Sequence, residues 1–282
     1  MRLDPAAFIR ANLQLGPVAG IKGVQLYQAH PGSGLSRVGR DEPPYWAYAW
    51  GGGLMLSQFL RVHPHLVAGR NVLDLGAGSG LVGIVAAQAG ANVQAAEVDP
   101  FGQAAIRLNA EANEAAVTLS DVDTDGAVPT NMDIVLAGDV FYLPEVAARM
   151  LPFLRRCADA GMGVLIGDPQ RRDLPREHLT VLAQGLVRDM GGVERRAGVY
   201  AFETLCLTPL WFEGKNTELR GMLQPGASPQ CHPRARRGSI LRLEDGPSLR
   251  RGDIAFGTGF DACRYPAYIT APTCQGTNSL SP

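Results

Sequence analysis

"NVLDLGAGSGLVG", residues 71–83, decides how this chain is read. Its first half has the length and composition of a strand, its last residues open an apolar helix, and Gly76, Gly78 and Gly80 stand between them. Glycines in such a turn permit positive φ and close approach of the backbone to a ligand, while the helix start offers unpaired N–H groups. Nucleotide loops share that spacing, but two residues separate the possibilities. The dinucleotide pattern G-x-G-x-x-G requires glycine at position 81, which is Leu81, and Asp74 just before the loop would set a carboxylate against a pyrophosphate. A ligand without phosphate is expected.

Downstream, short apolar runs alternate with longer amphipathic stretches: "VQAAEV", "DPFGQAAIRLNAEAN", "VTLSD", "MDIVLAGD" and "GVLIGDP". Strands separated by helical segments imply an α/β, doubly wound, mostly parallel sheet, whose ligands sit at the carboxyl ends of the strands. Glu97 ends the second of these strands, 21 residues after Gly76, where a carboxylate can accept from both ribose hydroxyls. Asp99 reads as the cap of the next helix, with Pro100 at its first position. Asp121, after "VTLS", is placed to accept from an adenine amino group; a turn-forming role competes for it, and Asp123 competes for the adenine. S-adenosylmethionine fits these requirements, because it lacks phosphate and carries a cationic amino group and a sulfonium beside which Asp74 is favourable.

The chain has 282 residues and a formal charge of -1, so no global basic field draws it to nucleic acid or an anionic membrane. No apolar run approaches the roughly 20 residues of a membrane span, and "MRLDPAAFIRANLQ" has no signal-peptide core, so a soluble, cytoplasmic protein is expected. Five cysteines (Cys157, Cys206, Cys231, Cys263, Cys274) form no CxxC pair, and His63, His65 and His178 lack metal-ligand spacing, so no metal is expected. The organisation reads as an N-terminal cap over 1–70, a ligand-binding domain over 71–210, and an irregular, poorly ordered extension over 211–282 containing Arg234, Arg236 and Arg237. The cap should hold a helix near 5–14 and another over "LMLSQFLRV".

Two further stretches complete the pattern: "PPYWAYAWGGG", residues 43–53, and "LAGDVFY", residues 136–142. Together with "LDLGAGSGLVG" and "EVDP", they resemble the seven-strand, S-adenosylmethionine-dependent protein-lysine methyltransferases, above all the branch acting on the electron transfer flavoprotein β subunit, and more distantly the ribosomal protein L11 methyltransferases. The likeness covers roughly residues 5–190. It implies a seven-stranded Rossmann-like methyltransferase sheet, with the last two strands beyond about residue 190, and a protein substrate. Gly51 stands where the family usually has proline. The Asn/Asp-Pro-Pro-aromatic signature of base and glutamine methylases is missing after the fourth strand, which argues against a nucleic-acid substrate.

The resemblance places Asp139 beside the transferring methyl group, to orient the incoming amine first and to accept its proton second. Trp50 and Tyr142 are expected to line the acceptor channel, with Trp50 also facing the cofactor; Phe141, Trp46 and Tyr48 are further candidates. Packing roles compete: Trp46 as a plug beneath the N-terminal helix, Phe141 and Tyr142 at a helix start. Gly51 to Gly53 either let the segment close over substrate or avoid conflict with the cofactor. Asp168 reads as a substrate contact or as part of a turn before a helix starting at Pro175, while Arg171 and Arg172 read as surface residues. A ribosomal-protein substrate, a nicotinamide-dependent oxidoreductase and a non-catalytic cofactor-binding module are the alternative functions.

Overall fold

Helix, strand and turn follow the hydrophobic pattern closely from residue 71 to the end of the strand at Asp168. The structure is a computed structural model that describes residues 3–38, 43–189 and 192–202; the expectations for 211–282, including its arginine cluster, lie outside the described residues. Nine strands and five α-helices are found among the described residues. β1 (Gln14–Pro17) and β2 (Gln25–Gln28) form a small antiparallel pair. The remaining seven strands are β3 (Asn71–Leu75), β4 (Asn92–Ala96), β5 (Val117–Leu119), β6 (Ile134–Gly138), β7 (Gly163–Asp168), β8 (Leu179–Arg188) and β9 (Glu194–Phe202). They make one sheet of order β5-β4-β3-β6-β7-β9-β8.

Strands β3 to β7 pair in parallel, whereas β9 runs antiparallel to both β7 and β8. The order reverses between β3 and β4 on one side and β6 on the other, so a crevice opens at the carboxyl ends of β3 and β6. Alternate side chains of the central strands enter opposite layers. Val72, Ile134 and Leu136 pack with α2 (Gly51–Val62) and α3 (Leu81–Gln88), while Leu73, Leu75, Val135 and Ala137 pack with α5 (Pro144–Asp159). α2 is therefore a layer of the sheet domain, although it precedes the first strand of that sheet.

α1 (Pro5–Asn12) lies on α4 (Pro100–Ala112) through Phe8, Ile9, Phe101, Ala104 and Leu108. Trp46 is the plug in that contact: it is 2% exposed and stacked on Phe101 with ring centroids 5.3 Å apart. The expectation that Trp46 walls an acceptor channel is corrected, because its ring is consumed by packing under the N-terminal helix. Two elements also differ from the sequence reading. No α-helix starts at Pro175; a single 3-10 turn over Arg176–His178 leads directly into β8. The sixth and seventh strands of the sheet thus occupy 179–188 and 194–202, so the sixth ends before residue 190.

Candidate active site

The glycine turn is built as its composition requires. Gly76, Gly78 and Gly80 have φ of 67°, 54° and 79°, a region that disfavours side chains. A Cβ on Gly78 would meet no atom closer than 4.0 Å, so the turn encloses open space at that point. At Gly76 a Cβ would come within 3.3 Å of Val140, which brings the start of the β6–α5 loop against the turn. Glu97, at the end of β4, closes one side: Oε2 accepts from the Gly78 N–H at 2.8 Å, and Oε1 accepts from the Asp99 N–H at 2.9 Å. Burial raises its pKa against these hydrogen bonds. Asp99 caps α4, accepting from Phe101 N–H at 2.9 Å, as its place before Pro100 predicts.

Asp74 faces the other way. On β3 it shares the layer of Val72, and its Oδ2 accepts from the Gly83 N–H at 2.8 Å, tying strand to helix across the turn. Burial pushes its carboxyl up to about 7, with Glu97 adding repulsion. Asp74 therefore holds the turn in shape, with its carboxylate turned toward α3. Asp121 is exposed beyond β5, at the carboxyl end of the sheet. Asp123 is taken up by a local turn, accepting from the Asp125 N–H at 3.0 Å.

The second half of the site surrounds Asp139, the first residue after β6. Its backbone is left-handed, with φ of 62°, and its N–H donates to the Gly167 carbonyl at 2.8 Å. Oδ2 accepts from the Gly53 N–H at 2.7 Å, so the carboxylate sits on the first turn of α2, where the helix dipole favours negative charge. Oδ1 accepts from Arg171 Nη1 at 2.6 Å. The same nitrogen donates to Asp168 Oδ2 at 3.2 Å, and Asp168 Oδ1 accepts from the Arg171 backbone N–H at 2.7 Å. The side chains of Asp139, Asp168 and Arg171 are 12%, 0% and 23% exposed. Burial raises the Asp139 pKa against the pull of Arg171, and raises Asp168 to about 6.

Arg171 is thus a correction. It reads as a surface cation in the sequence, but the loop after β7 folds it back onto Asp139. Arg172 does face solvent, 86% exposed beside Asp173. The signal that could have found Arg171 was its spacing, three residues after a carboxylate that ends an apolar strand.

The three glycines that open α2 have a packing role. They are the first turn of the helix, buried against the sheet. A Cβ on Gly52 would lie 2.2 Å from the Gly167 carbonyl oxygen and 2.7 Å from Asp139 Oδ2. Close packing of α2 on β7 dictates glycine there, and flexibility is not needed to account for it. Trp50 precedes the glycines as the N-cap residue, and its indole N–H donates to the Tyr45 carbonyl at 2.7 Å. Around it stand Tyr45 and Tyr48, each with its ring centroid 5.7 Å from that of Trp50, and Tyr142, whose centroid is 4.6 Å from that of Tyr45. Tyr45 joins Trp50 to Tyr142, a link the sequence reading missed. Phe141 is fully buried beneath the sheet and packs with the α5 layer, which corrects its assignment to the channel.

A pocket lined by Arg70, Thr130, Asp133 and Met162 lies at the amino ends of β3, β6 and β7, away from these groups, and has none of this chemistry. Among the described residues no cluster of metal-ligating side chains occurs, and no helix is long and apolar enough to cross a membrane.

Residues 47–184 match a family model described as lysine methyltransferase. The chain is 32% identical over 146 residues to a protein N-lysine methyltransferase, METTL21A, of Danio rerio, covering 67% of that protein and 49% of this chain. The chain belongs to the lysine methyltransferase family. It is also 40% identical over 131 residues to the electron transfer flavoprotein beta subunit lysine methyltransferase of Danio rerio, covering 45% of this chain and 51% of that protein. With the corresponding Xenopus laevis protein the identity is 39% over 153 residues, covering 52% of this chain and 62% of the relative. The chain thus spans between half and two thirds of the length of these relatives. Family membership assigns S-adenosylmethionine as cofactor and sets aside the nicotinamide-dependent alternative. The residues present fit that cofactor: an open glycine turn and an acidic strand end in Glu97.

Proposed function

We propose that this protein methylates the side-chain nitrogen of a lysine in a protein substrate, and that the substrate is the electron transfer flavoprotein β subunit. The observation that supports the reading is the Asp139 carboxylate on the first turn of α2, which Trp50 caps, with Val140 beside it against the glycine turn and Tyr45 linking Trp50 to Tyr142. Identity of about 40% to methyltransferases of that subunit supports the choice of substrate.

S-adenosylmethionine, when bound, supplies an electrophilic methyl group on a sulfonium. Glu97 is assigned to the ribose hydroxyls and Asp121 to the adenine amino group, and the backbone of Gly76 to Gly80 lines the approach. Transfer forms a bond from lysine Nζ to the methyl carbon as the carbon–sulfur bond breaks and its electron pair stays on sulfur. The nitrogen must first lose a proton, since an ammonium has no lone pair and the free lysine pKa is near 10.4. Aromatic walls from Trp50, Tyr48 and Tyr142 desolvate the ammonium and lower that pKa, against the Asp139 carboxylate, which raises it. Asp139 accepts a hydrogen bond from the amine and turns its lone pair toward the methyl, which makes alignment the main contribution. Released protons pass to Asp139 or to solvent.

Incubation of the purified subunit with this protein and S-adenosylmethionine, followed by peptide mapping, tests the reading. Methylation confined to defined lysines is expected. Methylation of a ribosomal protein in preference to the flavoprotein subunit would leave the reaction and replace the substrate.

A further inference from the structure

Arg171 is a guanidinium held between two carboxylates at the carboxyl ends of adjacent strands. Its Nη1 lies 2.6 Å from Asp139 Oδ1 and 3.2 Å from Asp168 Oδ2, and all three side chains are largely withdrawn from water. The loop that delivers it is held in an unusual shape. Gln170, immediately before it, has φ of 64°, and the Gln170 carbonyl accepts from Arg176 Nη2 at 2.7 Å. Asp139 has φ of 62° on the other side of the pair. Two left-handed residues, neither of them a glycine, meet at one ion pair.

We propose that Arg171 is a positioning residue for methyl transfer, which holds the Asp139 carboxylate ionised and aimed at the acceptor amine while leaving the cluster one negative charge for the cationic lysine to neutralise. The proposal rests on the lysine methyltransferase reading of the site. With both carboxyls ionised, Asp139 and Asp168 contribute two negative charges and Arg171 one positive. An arriving lysine ammonium makes the cluster neutral, whereas an uncharged amide would leave it unbalanced. Selection of a cationic acceptor follows from that difference. With Oδ1 held by Arg171 and Oδ2 by the first turn of α2, the carboxylate cannot rotate, so its remaining lone pairs keep one direction.

The groups facing the cluster from each packed element are Gly53 N–H from α2, Asp168 from β7 and Tyr200 from β9, whose pKa burial and Asp168 both raise. Asp189, after β8, lies beside Gly51 and pairs with Arg195 of β9 at 3.1 Å. Only Arg171 brings a cation within hydrogen-bond distance of Asp139 among the described residues.

The test compares wild type, Arg171→Met and Arg171→Lys. Carbon-13 NMR of enzyme labelled at aspartate carboxyls, with the Asp139 signal identified by its loss in Asp139→Asn, reads the titration of that group. Removing an adjacent cation raises a carboxylate pKa by about one unit or more, so the Asp139 midpoint should rise in Arg171→Met and return toward wild type in Arg171→Lys. In parallel, kcat for methylation of the electron transfer flavoprotein β subunit should fall at least about tenfold in Arg171→Met and partly recover in Arg171→Lys. Affinity for S-adenosylhomocysteine should be unchanged in both. An unmoved midpoint, an unchanged kcat, or lost cofactor affinity would each overturn the positioning role. Absence of transfer by the wild type, with cofactor bound, would instead overturn the functional reading on which it rests.

Discussion

At the scale of single residues, the site is two carboxylates with different duties. Glu97 holds the glycine turn through Gly78, and the proposed ribose contact requires that Glu97→Ala weaken S-adenosylhomocysteine binding about tenfold or more by calorimetry. Unchanged affinity would remove its ribose role. Asp139→Ala should cut methyl transfer by at least about a hundredfold while the cofactor still binds, as expected for a group acting on the acceptor. Persisting transfer would move the acceptor site elsewhere. The positions of these carboxylates were legible in the sequence, because "LDLGAGSG", "EVDP" and "LAGDVFY" set them at strand ends. Asp74 was legible in position but not in direction: whether a strand residue faces helix or turn depends on sheet register. Arg171 was hidden for a related reason, since a loop that turns back through the left-handed Gln170 leaves no periodic trace.

At the scale of elements, the contact between α2 and β7 locates the site. Its closest point is Gly52 against Gly167, where each glycine's Cβ would stand 2.2 Å from the other's carbonyl oxygen. Gly52→Ala should therefore separate helix from strand, lowering stability by about 1–3 kcal/mol and, through Gly53 and Asp139, lowering activity as well. Gly16→Ala, where a Cβ meets nothing within 4 Å, serves as the neutral control in the same thermal denaturation series. Equal melting temperatures for the two variants would contradict this packing account. The strands with continuous apolar runs, β3, β6 and β7, could be read directly from sequence because both their faces are buried. β8 could not. It lies at the sheet edge with Val181 and Leu186 exposed, so its alternation is weak, and the charged first half of β9 looks like a loop.

At the scale of the whole molecule, a parallel sheet brings residues distant in sequence to one rim, and burial there changes their acid–base behaviour. Asp74 gains a folded-state pKa of about 7 from an ordinary value of 3.8. A carboxyl whose pKa rises on folding binds more protons in the native state, so its stabilising contribution is present at low pH and is lost as pH climbs through that interval. Asp74→Asn, which keeps an acceptor for the Gly83 N–H, should remove this loss. Relative to wild type its stability should improve between about pH 4 and pH 7, by up to about 4 kcal/mol for a shift of this size. Urea titrations across that range read the difference, and a constant gap between the two proteins would contradict it. The measurement that tests the assigned reaction most directly is the intact mass of electron transfer flavoprotein β subunit after incubation with this protein and S-adenosylmethionine. Increments of one methylene each are expected, absent with Asp139→Ala. An unchanged mass, in a sample where the wild type binds S-adenosylhomocysteine, would contradict the assignment of this substrate.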